Sequence, residues 1–370
     1  MAFIRFAKID KSLIVIIVGC IFCFVNRFIN QVESELNNNP IINNIIISPS
    51  RFLTIIPFII LRIRSKRLFT SNEIENSNSK DTKGIELIYN DNKEVYIEGK
   101  WGLILLSGII YVIQSTFFSL SLDIKTNAWI WYILFASIFY YLIFKVKLYK
   151  HHYLSILLII LIGLIIDLVT ENLQNELINN PLHLAMKLLK EIFYPLYNVI
   201  AKYTMERKYV SVYEFSFYVG LILFIALMSF ALLDNYYFKL FDYSKYFENF
   251  NYIELLVILG AIFTQLGINL TTLFTSKNNS PCHVFIIFVF GQMAYYISFK
   301  GTDILVIFLL IIILFFSLIF NEIIEINIFG LSRNTKKNIV ARAEFESMIK
   351  LDISDEKYEN DDNSVELNYK

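Results

Sequence analysis

The chain has 370 residues, 56% of them hydrophobic, and a mean hydropathy of +0.54, too apolar for an ordinary soluble domain of this length. Lys+Arg and Asp+Glu balance at 33 each, which excludes a bulk attraction to nucleic acid. Three cysteines, all inside or beside apolar runs, exclude a disulfide framework.

In chain order the apolar runs fall at about 12–30, 45–62, 101–122, 127–144, 153–170, 183–204, 211–233, 252–274, 281–299 and 303–320. Each is near the length a helix needs to cross a bilayer, so ten transmembrane helices are expected. Arg5, Lys8 and Lys11 precede the first run as in a signal peptide, but no A-x-A-like cleavage site follows, and the run is read as a span. Within it Cys20 and Cys23 spell C-x-x-C, expected to be small packing residues rather than a redox pair. Residues 63–98, rich in Ser, Asn and Lys, read as a disordered cytoplasmic loop. The stretch 234–251 alternates aromatics with charges and is expected to lie along the outer surface as a short amphipathic helix. From Asn321 the chain has helical spacing and a basic centre, suited to the inner leaflet, before an acidic, disordered tail from Asp352.

Charge placement orients the spans. If the amino terminus is cytoplasmic, the same side receives Arg62, Arg64, Lys66 and Arg67, then Lys145, Lys147 and Lys150, then Lys202, Arg207 and Lys208, then Lys277. The tail adds Arg333, Lys336, Lys337 and Arg342, whereas the opposite loops hold only Lys125, Lys239, Lys245 and Lys300. The asymmetry runs one way at every turn, so both termini are expected in the cytosol. Trp101 marks one interface, and Trp129 with Trp131 marks the other as an aromatic belt.

The sixth run is not uniformly apolar. Lys187, Glu191, Tyr194, Asn198 and Lys202 recur at steps of four, three, four and four, and so share one helix face. A membrane helix polar along one side turns that side to protein or to a water-filled cavity. In the eighth run Gln265, Asn269 and Thr272 again share a face, and Gln114 lies near the middle of the third.

The helix LLKEIFYPLYNVIAKYTME, its short basic link and the opening VSVYEFSFYVG resemble the start of the second half of drug/metabolite transporter superfamily proteins, the group holding EamA-type and nucleotide-sugar carriers. The resemblance covers roughly residues 10–325 and implies two inverted five-helix repeats, here 1–170 and 183–320, followed by a cytoplasmic tail at 321–370. YYLIFK at Tyr140–Lys145 ends span four and YYISFK at Tyr295–Lys300 ends span nine, the two spans that similar transporters pair.

Arg27, Arg51, Lys187 and Lys190 break the charge pattern, lying in outer portions of spans one, two and six. Either they snorkel to the interface or they face one vestibule, with Glu191 pairing to Lys187 one turn away. A vestibule rich in cations favours an anionic solute, which fits the nucleotide-sugar and organophosphate branches of the resembled superfamily. The expected solute-binding residues are Asn26, Arg51, Gln114, Lys187, Tyr194, Asn198, Gln265 and Asn269. Phosphate loops, H-E-x-x-H and G-x-S-x-G motifs are absent, His151-His152 reads as a surface pair, and neither enzyme chemistry, a metal nor a cofactor is expected. The protein is therefore read as an all-α, ten-helix secondary carrier in an unresolved membrane, with a small-molecule solute and lipid as partners and a homodimer left open. The alternative is a receptor or scaffold whose cytoplasmic tail binds a partner.

Overall fold

The computed structural model describes residues 4–6, 11–36, 48–63, 99–120, 127–146, 148–170, 181–208, 210–238, 252–299 and 304–326. Among these residues ten helices follow one another: α1 (Lys11–Leu36), α2 (a 3-10 turn at Ser48–Thr54 continued as α-helix over 55–63), α3 (Lys100–Leu120), α4 (Trp131–Phe144, after a 3-10 turn at Ala128–Ile130) and α5 (Lys150–Val169). Then come α6 (Pro181–Arg207), α7 (Val212–Leu233), α8 (Tyr252–Asn278), α9 (Val284–Phe299, after a 3-10 turn at Pro281–His283) and α10 (Ile304–Phe320). Each apolar run of the sequence has become one helix.

Local chemistry sets the ends. Ser211 caps α7 by accepting from the Glu214 N–H at 3.1 Å, while the Glu214 carboxylate reaches Lys100 Nζ at 2.6 Å and ties the start of α7 to that of α3. Inside α6, Pro195 lacks the N–H that would bond the Glu191 carbonyl, a gap that packed neighbours tolerate. Four helices are long and apolar enough to cross a membrane: α3, α5, α7 and α8. Four further apolar stretches, in α1, α4, α9 and α10, are 10–17 residues long.

The helices pack as interlocking sets. α1 lies on α8 and α9, while α6 lies on α3 and α4. α2 packs on α7, α5 on α10, α3 on α7, and α8 on the start of α2. One core joins α4, α5, α9 and α10 around Tyr132, Ile159, Phe285 and Leu310, and a second joins α3, α6, α7 and α8 around Ile104, Tyr197, Phe215 and Leu273. The exterior is apolar: Ile56, Leu157, Leu168, Leu256, Phe263 and Phe308 are each more than half exposed. Polar groups are inside, among them Arg51, Glu191, Asn198 and Lys202. This inversion of the usual order of a soluble domain is what a bilayer solvent selects.

Several expectations are corrected. Trp129 is not a belt residue: it is buried against Phe285 with ring centroids 5.6 Å apart, because the turn ahead of α4 inserts into the core. The described residues just after α10, 321–326, do not continue as a helix. They turn at Asn321–Ile323 and form strand β2 (Ile324–Ile326), antiparallel to β1 (Ile4–Phe6), so both ends of the bundle emerge together. Past α7, Asp234–Phe238 extends the helix as a π-helical turn. The remainder of the expected surface helix, the 63–98 loop beyond residue 63, the expected inner-leaflet segment from residue 327 on and the acidic tail lie outside the described residues.

Candidate functional site

The 3-10 turn that opens α2 aims Arg51 into the bundle, where it is 2% exposed. Its Nη1 donates to the Tyr197 hydroxyl of α6 at 3.1 Å and its Nη2 to Asn269 Oδ1 of α8 at 3.0 Å. The guanidinium lies over the Tyr111 ring of α3, 4.0 Å from its centroid, a face-on contact that a planar cation favours. Room for the Arg51 stem exists because α7 carries Gly220 there: a β-carbon at 220 would collide with Arg51 Cβ. Among the described residues no carboxylate stands at ion-pair distance from Arg51. Its partners are neutral, so the centre of the bundle holds a buried positive charge.

Aromatic rings wall this centre. Tyr111 and Tyr197 have centroids 4.7 Å apart, Tyr194 stacks on Tyr197 at 6.3 Å, and Tyr132 of α4 lies 5.8 Å from Tyr194. Asn198 Nδ2 donates to the Tyr132 hydroxyl at 3.1 Å, which in turn donates to the Pro281 carbonyl at 3.0 Å ahead of α9. Asn198 Oδ1, Ser50 Oγ of α2, Ser216 Oγ of α7 and Thr272 Oγ1 of α8 are buried without a hydrogen-bond partner.

The eight expected residues divide. Arg51 and Asn269 bond directly, Gln265 Nε2 donates weakly to Asn269 Oδ1 at 3.4 Å, and Tyr194 and Asn198 belong to the adjoining aromatic wall. Gln114 is buried one turn from Tyr111 on the same face of α3. Asn26 stands apart, accepting from Thr264 Oγ1 at 2.8 Å and joining α1 to α8. Lys187 stands apart too. It acts electrostatically on Asp167 of α5, whose carboxylate accepts from the Asn127 backbone and side chain at 2.9 and 2.8 Å. Arg51 and Lys187 thus act on different groups.

Two pairings also differ from expectation. Glu191 takes Lys190 at 2.7 Å, its sequence neighbour, in place of Lys187. Lys202, expected in a solvated basic hinge, is 4% exposed and donates to the carbonyls of Ser276, Lys277 and Asn279 at 2.9–3.0 Å. Tyr111, Tyr197, Tyr132 and Asp167 were not foreseen. Tyr197 lies three residues after Tyr194, so a broader stripe on α6 would have included it. An apolar groove of about 330 Å³ between α1 and α8, lined by Ile14, Val18, Phe22, Phe263 and Leu266, contains none of these polar residues.

The geometry defines a class: a ten-helix bundle with an apolar exterior and a cationic, tyrosine-walled centre. No protein-family model matches the chain, and no curated protein matches it.

Proposed function

We propose that the protein is a multi-pass membrane carrier that moves a small anionic solute by alternating access, as in the drug/metabolite transporter superfamily it resembles. The observation that carries this is Arg51. A guanidinium withdrawn from water with no carboxylate beside it among the described residues is costly, and the arrangement is relieved when an anion supplies the balancing charge. The unpartnered oxygens on α2, α6, α7 and α8 add polar groups for the same solute or its water. Tyrosine rings around the guanidinium offer stacking faces and hydroxyls that select shape.

Packing supports two inverted repeats. Advancing each helix number by five exchanges the α1 contacts with α8 and α9 for the α6 contacts with α3 and α4. The same shift maps the α2–α7 and α5–α10 pairs onto themselves. Arg51 then belongs to one half, and Tyr197 and Asn269 to the other. Bonds that cross the halves at the solute position are what a rocking motion must break and remake. The cytosolic side is the one that receives the Lys/Arg-rich segments and both termini.

Two measurements test this. Purified protein in sealed proteoliposomes is expected to take up a labelled organic phosphate or carboxylate saturably, with competition among anions and none from neutral sugars. Folded, reconstituted protein that moves none of the panel by uptake or counterflow would leave the scaffold alternative standing. Separately, tags at Met1 and Lys370 should both be protected in cells permeabilised only at the outer side. A terminus accessible there overturns the orientation.

A further inference from the structure

We propose that His151, His152 and Glu322 form a binding site for a divalent transition metal, with Zn²⁺ the best-matched ion. The inference rests on local geometry and stands whether or not the protein is a carrier. His151 and His152 lie in the first turn of α5, and Glu322 follows the last turn of α10, so the site joins the two ends where α5 packs on α10. One potential ligand atom from each residue lies within 4.8 Å of the other two. His151 Nε2 is 3.4 Å from Glu322 Oε1. Two ligands bound to one tetrahedral zinc at about 2.1 Å are themselves separated by about 3.4 Å, so this pair already has the required spacing.

Two features of the cluster favour a metal there. His151 is 4% exposed, yet its Nδ1 has no hydrogen-bond partner and its Nε2 meets only the Glu322 carboxylate, in a 3.4 Å contact without hydrogen-bond geometry. A buried imidazole whose nitrogens make no hydrogen bond is costly, and a metal held between Nε2 and the carboxylate would satisfy it. The second feature is the backbone of Glu322, at φ 56°. Ile323 N–H bonds the Leu318 carbonyl and Glu322 N–H the Ile319 carbonyl, which is a Schellman ending with Glu322 in the left-handed position that glycine favours. Glutamate there accepts strain that glycine avoids, and the return is a carboxylate aimed at His151. Two imidazoles and one carboxylate are a donor set that suits zinc, with a fourth position for water. The Tyr149 N–H now donates to His152 Nδ1 at 3.0 Å, and ligation through His152 Nε2 requires that bond to be exchanged, with the ring proton moving to Nδ1.

The test uses the purified full-length chain, stripped with chelator in detergent. Titration with Zn²⁺ followed by calorimetry is expected to give one site per chain and a rise in unfolding temperature. Co²⁺ at the same site should develop the visible absorption of a low-coordinate nitrogen–oxygen centre. His151→Ala and Glu322→Gln should each weaken binding more than about ten-fold, since even outer-shell partners are worth that much. His183→Ala, an exposed histidine on α6, should leave it unchanged. Glu322→Gly separates metal binding from folding: the metal-free chain should be as stable as the wild type or more so, yet lose its response to Zn²⁺. Absence of stoichiometric Zn²⁺ binding, or binding that survives both His151→Ala and Glu322→Gly, would overturn the proposal.

Discussion

Arg51→Gln should remove most anion transport while leaving the protein at least as stable as before. The two halves of that expectation have different origins. Arg51 is a buried cation bonded to neutral groups, Tyr197 and Asn269, and glutamine keeps a hydrogen-bonding amide without the charge. Replacing a buried charge that lacks a counter-charge is commonly neutral or stabilising. With solute bound, the same change removes one member of a buried charge pair, a loss of about 2–5 kcal/mol. At about 1.36 kcal/mol per factor of ten, kcat/KM for uptake should fall roughly thirty-fold or more. Arg51→Lys keeps the charge but loses the planar fork and the contact over Tyr111, so intermediate activity is expected. Gly220→Ala leaves Arg51 in place chemically and displaces it physically. Crowding of this kind costs about 1–3 kcal/mol, and uptake should fall with an intact charge. Concentration-dependent uptake and thermal unfolding of the same preparations separate the cases. Lower stability with unchanged specific uptake in Arg51→Gln would make Arg51 a packing element.

Lys202→Met should do the reverse, lowering stability more than the catalytic constants of transport. The ammonium donates to three carbonyls at the end of α8 and lies 2.6 Å from Glu206 Oε1. Carbonyls in the last turn of a helix have no intrahelical donor, and a cation there also complements the helix dipole. Methionine keeps the stem and deletes the donors, which should cost about 1.5–3 kcal/mol and several degrees in unfolding temperature. Glu206→Gln is the comparison: that carboxylate is 37% exposed, and an exposed ion pair is worth at most about 1 kcal/mol. Should Lys202→Met alter uptake at unchanged stability, Lys202 would belong to the solute path, as its place in the α6 stripe first suggested.

Much of the site was legible on α6 and α8, where polar residues recur at helical spacing on apolar segments. Asn198, Asn269 and Gln265 were identified because periodicity belongs to one segment and needs no partner. Lys202 shares the same stripe as Asn198 yet serves as a clamp, since its longer reach ends at backbone carbonyls of α8. Tyr111, Tyr132 and Tyr197 are not legible in the sequence for a different reason. In a chain with 23 tyrosines and 34 phenylalanines, an aromatic residue carries little positional information until its neighbours are known.

The ten helices and their approximate bounds were determined by the sequence alone, because hydropathy and turn chemistry act over a few neighbouring residues. Which helix meets which was decided only by the tertiary structure. Arg51 finds partners 146 and 218 positions away, and His151 meets Glu322 at the end of the helix packed beside its own. Every helix here is apolar on most faces, so burial alone does not rank one pairing over another. Close fit at small residues such as Gly220 and hydrogen bonds between helices make that choice, and both exist only once the helices are side by side.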